Sequence, residues 1–165
     1  MIIYIIYVIK YYDLEISDME KKILIINANY YKKICKYLLE GAVECIERDG
    51  GGLLYEMVEA PGAFEIPGVL NLAIKSDKYD GYIILGCVIK GETDHYDFIC
   101  QSVMNSILSL INDHDIACGV GLLTVNNEAQ AMERADRNKK NNGGHAAMAC
   151  LEMMKVRNLY KVLNK

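Results

Sequence analysis

The apolar positions of this chain fall into two alternating patterns. "KILIINA" (22–28), "LLYEMVEA" (53–60), "YDGYIILGCVIK" (79–90) and "IACGVGLLTV" (116–125) are short apolar runs rich in Ile, Leu, Val and Tyr, the mark of buried strands. Between them the period lengthens. Ile34, Leu38, Ala42 and Ile46 recur every fourth residue, with Cys35, Leu39 and Val43 on the adjacent ridge, and predict a helix. "RDGGG" (48–52) stops that helix, because glycine accepts the left-handed cap. "PGAFEIPG" (61–68) reads as a turn framed by the only two prolines, followed by helix from "VLNLAIKS". "GETD" reads as a loop before a long helix, "HYDFICQSVMNSILSLINDH". "NNEAQAMERA" (126–135) predicts a short helix capped by Asn126 or Asn127. "DRNKKNNGG" reads as polar loop, and the last helix is expected from "HAAMAC" onward.

Strands alternating with helices require crossover connections and hence a parallel sheet. The expected fold is α/β: a three-layer sandwich with a central, mostly four-stranded parallel sheet, flavodoxin-like. Ligands of such sheets bind beyond the carboxyl ends of the strands. "NANYY", "EAPGAFEIP", "GCVIKGETDH" and "LLTVNNEA" are therefore expected to meet at one rim.

The domain organisation is expected to be simple, with an N-terminal extension at 1–20 and a single domain at 21–165. The extension, "MIIYIIYVIKYYDLE" and onward, is too short an apolar run to span a bilayer and has no signal-peptide cleavage pattern. It reads as an extra strand, or as residues preceding an alternative start at Met19, which opens like a cytosolic protein. A cytoplasmic location also suits the six cysteines, Cys35, Cys45, Cys87, Cys100, Cys118 and Cys150. No two form a C-x-x-C pair, so they read as small buried hydrophobes and not as zinc ligands. The formal net charge of −4, with no basic run, argues against nucleic acid as a partner; no membrane partner is expected either.

Candidate chemistry gathers around "GETDH" (91–95). Gly91 permits a tight strand-to-helix turn, and Thr93 and Asp94 are cap-type residues. Free amides at a helix start suit a phosphate or carboxylate. The dipole at that end favours a neutral imidazole at His95, able to accept a proton. A plain surface histidine beside a cap accounts for the residues equally well. Arg134 could clamp an anion, although a lone arginine is more often in a solvated ion pair, here with Glu133 or Asp136. Glu65, between apolar neighbours, reads either as a holder of a polyol or amide or as a partner of a nearby helix start. There is no Walker-type phosphate loop and no G-x-G-x-x-G after a strand.

"PGAFEIP", "GCVIKGETDHYDFIC", "GLLTVNNEAQAMERA" and "NNGGHAA", in that order, closely resemble lumazine synthase over about residues 22–155. The resemblance implies the penultimate step of riboflavin biosynthesis: condensation of a ribitylamino-pyrimidinedione with 3,4-dihydroxy-2-butanone 4-phosphate, with no metal and no redox cofactor. It implies that Tyr30 stacks on the pyrimidine and that Ala63, Phe64 and Glu65 line the ribityl and ring pocket. Cys87, Val88 and Ile89 would edge the ring through backbone groups. Glu92 and Thr93 would bind phosphate through amides, and His95 would be the general acid/base. Val120, Arg134 and the loop near Asn142 would come from a neighbouring subunit of a homo-oligomer, a pentamer or pentamer-based shell with sites at subunit interfaces. The chain departs from the resemblance where Asn142 replaces a common lysine, which Lys139 or Lys140 would have to replace in turn, and at His145 and Val120. An archaeal-type riboflavin synthase, or a catalytically silent flavin- or lumazine-binding shell protein, are the alternatives.

Overall fold

A computed structural model describes residues 21–163; residues 1–20, on which the extra-strand reading falls, and 164–165 lie outside the described residues. The four apolar runs form strands β1 (Lys22–Ala28), β2 (Leu54–Ala60), β3 (Gly81–Ile89) and β4 (Ala117–Val125), all parallel, in the order β2-β1-β3-β4. Helix α1 (Lys32–Asp49) joins β1 to β2. A 3₁₀ turn (Ala63–Glu65) and α2 (Ile66–Lys75) lead to β3. Helix α3 (His95–Asp113) leads to β4, and α4 (Glu128–Ala135) and α5 (Asn142–Leu163) follow. The α/β three-layer expectation therefore holds.

The two faces of the sheet build two separate cores, because side chains alternate along each strand. Ile23, Ile25, Ile83, Leu85 and Leu123 face α1, α4 and α5. Leu24, Ile26, Ala28, Tyr82 and Ile84 face α2 and α3. β1 and β3 are nearly fully buried because helices cover them on both sides. Edge strand β2 is different: Leu54, Tyr55 and Met57 are exposed, and its outer edge has no strand partner among the described residues.

Three local expectations need correction. The "PGAFEIPG" turn is shorter than its sequence suggests, since Ile66 already starts α2 and Pro67 sits in the first helical turn. That position suits proline, whose missing N–H would have no intrahelical acceptor there. Helix α1 does end at the glycine cluster, but its cap Gly50 is right-handed (φ −80°), and the positive φ values fall on Gly51 and Gly52. The final helix starts three residues early, at Asn142. "NGG" reads as loop, yet Gly143 is helical, and it has to be glycine because α5 crosses α1 so closely that a Cβ there would overlap the Leu38 carbonyl. Gly119 does the same for β4, where a Cβ would run into the Ala146 carbonyl. These bare backbones let α5 press against both layers.

Candidate active site

All four strands point the same way, so their carboxyl ends share one rim. From β1 the chain runs through Asn29 and Tyr30 into α1. The Asn29 amide nitrogen donates to Glu59 at 3.1 Å, and its backbone N–H donates to the Ala60 carbonyl, tying the first rim segment to the second. Tyr30 stands 71% exposed, packed edge-to-face on Tyr31 with centroids 5.0 Å apart. A large aromatic ring held out of the core at a strand end is a ready stacking surface.

The second segment is the 3₁₀ turn. Phe64 is 62% exposed, Ala63 is half-buried, and Glu65 is exposed without capping α2 by its side chain. The helix-start partner that would have explained Glu65 structurally is therefore not made. The third segment follows β3. Cys87 is buried, Val88 and Ile89 are half-buried, and Glu92, Thr93 and His95 are exposed. Burial pushes the Cys87 thiol up to about 12, with smaller pushes from Cys35 and Cys100, so this group is an inert wall and not a nucleophile.

His95 is the first residue of α3, as expected, but the cap differs. Asp94 has helical dihedrals, and no side-chain oxygen bonds the first turn. The helix start thus keeps its outward amides for water or an anion. Beside it, the Lys90 ammonium lies 5.8 Å from the Tyr96 ring centroid. Burial raises the Tyr96 phenol, while a hydrogen bond with Thr124 opposes that shift. Lys90, Tyr31 and Tyr96 escaped the sequence reading. The "YY" doublet after a polar strand end was the one visible signal for Tyr31.

The remaining candidates lie elsewhere in the chain. Arg134 is on α4, which packs with α1, whereas His95 is on α3, which packs with α2 across the sheet. Its guanidinium donates to the Gln130 carbonyl of its own helix at 3.1 Å, and it forms no ion pair among the described residues. Glu133 pairs instead with Lys139 at 3.0 Å, and Asp136 accepts from the Asn138 N–H at 2.9 Å. Neither expected acid partner of Arg134 is engaged with it, and Lys139 is committed to Glu133. Helix α4 is capped by Asn127, whose side chain accepts from Gln130 N–H at 2.9 Å; Asn126 does not cap. Val120 pairs with Ile84 in mid-strand, five residues short of the end of β4. At ~3.3 Å per residue that places it roughly 16 Å below its own rim. Asn142 opens α5, and His145 is exposed one turn on.

Tyr30, the 63–65 turn, 87–89 and 92–95 thus lie at the carboxyl-end rim, while Val120 sits in mid-strand and Arg134 is on a helix packed on the other face of the sheet from α3. The described residues include no group of three or more His, Cys, Asp or Glu placed to hold a metal. No described helix is long and apolar enough to cross a membrane.

Comparison with known proteins gives this arrangement its context. The sequence profile of the 6,7-dimethyl-8-ribityllumazine synthase family matches residues 20–158. A 6,7-dimethyl-8-ribityllumazine synthase of Paramagnetospirillum magneticum is 45% identical over 143 residues, covering 82% of this chain and 94% of the relative. Those of Bartonella tribocorum and Novosphingobium aromaticivorans are 40% and 41% identical, covering 86% and 82% of this chain and 94% and 96% of their own lengths. A match of this length and identity, over a parallel sheet with the expected motifs at its rim, assigns the chain to the 6,7-dimethyl-8-ribityllumazine synthase family.

Proposed function

We propose that the carboxyl-end rim is the condensing site of this family, half-built by each chain and completed between two subunits. The activity is that of a transferase in riboflavin biosynthesis. It condenses 5-amino-6-(D-ribitylamino)uracil with 3,4-dihydroxy-2-butanone 4-phosphate to give 6,7-dimethyl-8-ribityllumazine, phosphate and water. In this reading Tyr30 stacks on the pyrimidine, and Ala63, Phe64 and Glu65 hold the ribityl chain and ring edge. The backbone of Cys87, Val88 and Ile89 reads the ring edge. The uncapped start of α3, at Glu92 and Thr93, receives the phosphate. His95 then moves protons as the amine adds to the ketone, water leaves to form an imine, phosphate is eliminated and the second carbonyl closes the ring. Each step displaces a proton, and one imidazole beside the reacting atoms serves several of them. Holding two substrates together supplies much of the remaining acceleration.

One observation carries the shared-site reading: Arg134 and His95 sit on helices packed against opposite faces of the sheet. Arg134 also keeps its charge without an acidic partner among the described residues. Val120, Arg134 and the segment near Asn142 are therefore assigned to the neighbouring subunit's pocket. A homo-oligomer, pentamer or pentamer-based shell, is further supported by Leu54, Tyr55 and Met57 on β2, an edge strand among the described residues, and by Leu72 and Phe98 on α2 and α3, all exposed. The enzyme acts in the cytoplasm.

The decisive experiment mixes two poorly active parents. His95→Ala and Arg134→Ala chains are unfolded together and co-assembled, and lumazine fluorescence is followed. Random mixing leaves about a quarter of pockets with both wild-type groups, so recovery approaches that fraction for independent sites. No gain over the average of the parents, with co-assembly verified by mass, places both residues in one chain's pocket.

A further inference from the structure

The segment that would hold the phosphate and move the proton, Gly91–His95, has little holding it in turn. Every one of its residues is exposed, and so are Asp97 and Phe98. Among the described residues, no N–H of Gly91, Glu92, Thr93 or Asp94 bonds to another backbone group, and no side chain caps α3. Tyr96 is the exception in this stretch. It is half-buried and heads the inward stripe of its helix, ahead of Cys100, Val103 and Ile107. Its phenol reaches Thr124 near the end of β4. At the other end of the turn, the Lys90 N–H donates to the Val125 carbonyl at 2.9 Å. The Lys90 ammonium lies 5.8 Å from the centroid of the Tyr96 ring, within the range of a cation–π contact. Lys90 forms no ion pair among the described residues, although Glu92, Asp94 and Asp97 are close in sequence. The two ends of the free turn therefore touch each other.

We propose that Tyr96 is a positioning residue for the condensing site: its ring, held under Lys90, fixes the direction of His95 and the place of the amides before it. The inference rests on the role given to His95 above. Consecutive residues of a helix point ~100° apart. With Tyr96 turned toward the sheet, His95 is turned outward, and it cannot swing in without pulling the ring from its seat. The contact between Lys90 and Tyr96 also closes the neck of the turn. Joining the ends of a short segment removes backbone states from the residues between them. Amides already aimed at one place receive an anion without first having to be ordered.

The test measures steady-state kinetics for both substrates in Tyr96→Leu and Tyr96→Phe, each also in the His95→Ala background. Tyr96→Leu is expected to lower kcat ~10-fold, since small misplacements of a reacting group are costly. It should also raise KM for the butanone phosphate and leave KM for the pyrimidine unchanged. Tyr96→Phe keeps the ring under Lys90 and should retain wild-type kinetics. In the His95→Ala background, Tyr96→Leu should lower kcat by no more than about twofold, because no imidazole is left to misplace, while KM for the phosphate substrate still rises. An equal fall in kcat in both backgrounds overturns the proposal, because the ring then only supports the fold. Wild-type kinetics in Tyr96→Leu overturns it too, as does a Tyr96→Phe chain as slow as the leucine variant. Tyr96→Met, which fills the space without a flat ring, replaces the leucine variant if that chain does not fold. Wild-type turnover in His95→Ala alone overturns this inference together with the site reading, whereas the other adverse results leave the site reading standing.

Discussion

At the residue scale the site is a set of side chains kept out of the core. Tyr30 and Phe64 are large aromatic groups left in the open at strand ends, where burial would have been favourable, and His95 stands at a helix start without a cap beside it. His95→Ala is expected to fold normally and to lose ~100-fold in kcat, the lower end for a general acid/base, because the uncatalysed condensation sets a high background. Wild-type turnover in that variant would remove the imidazole from the mechanism. Arg134→Ala is expected to raise KM for the butanone phosphate far more than for the pyrimidine, since a charge-assisted clamp acts on the anion alone. Equal changes in both would make the arginine structural. Asn27 is the opposite case: it is 3% exposed in β1, and its side-chain oxygen has no hydrogen-bond partner. An orphan buried acceptor costs about 1–3 kcal/mol. Asn27→Val should therefore leave Tm unchanged or raise it, and a clear fall in Tm would show that the oxygen is satisfied in solution.

At the element scale, α4 matters because it carries Arg134. It has only eight residues, and Asn127 satisfies its first turn. Asn127→Ala is expected to cost about 1 kcal/mol of stability. Because the same helix presents the arginine, KM for the phosphate substrate should rise as well. A stability loss with unchanged KM would separate the cap from the site. Helix α5 depends on glycine in a different way, since Gly143 and Gly119 mark where another backbone comes close. Neither is legible as such in "NNGG" or "CGVG", which read equally well as a loop and a flexible strand.

At the scale of the whole molecule, the core between the sheet and α1, α4 and α5 places several thiols out of water. Burial raises Cys35 to about 11 and Cys87 and Cys150 to about 12, from an ordinary value of 9.0. The sign follows from proton counts. Below pH 9 both states hold these protons and the thiols contribute no slope. Between about pH 9 and 12 the unfolded chain releases them while the folded chain retains them, so stability falls as pH rises. Thermal melts from pH 8 to 11 should show a falling Tm, and Cys35→Ala or Cys150→Ala should flatten the slope whatever it does to Tm at pH 8. An unchanged slope would mean that these thiols titrate in the folded state as freely as in the unfolded one.

The division between sequence and structure follows the range of the interactions involved. The four strands, the helix phases and the identity of the rim segments were legible because apolar periodicity is local: "YIILGCVI" and Ile34/Leu38/Ala42/Ile46 each reveal a buried face from neighbours a few residues away. The residues of "GETDH" and "AFEIP" likewise announced themselves by their place after strands. Only the tertiary structure decided the strand order, the early start of α5 under α1, the engagement of Lys139 with Glu133, and the isolation of Asn27. It also put Arg134 across the sheet from His95. Each of these depends on which elements touch, and contacts between residues tens of positions apart leave no periodic trace along the chain.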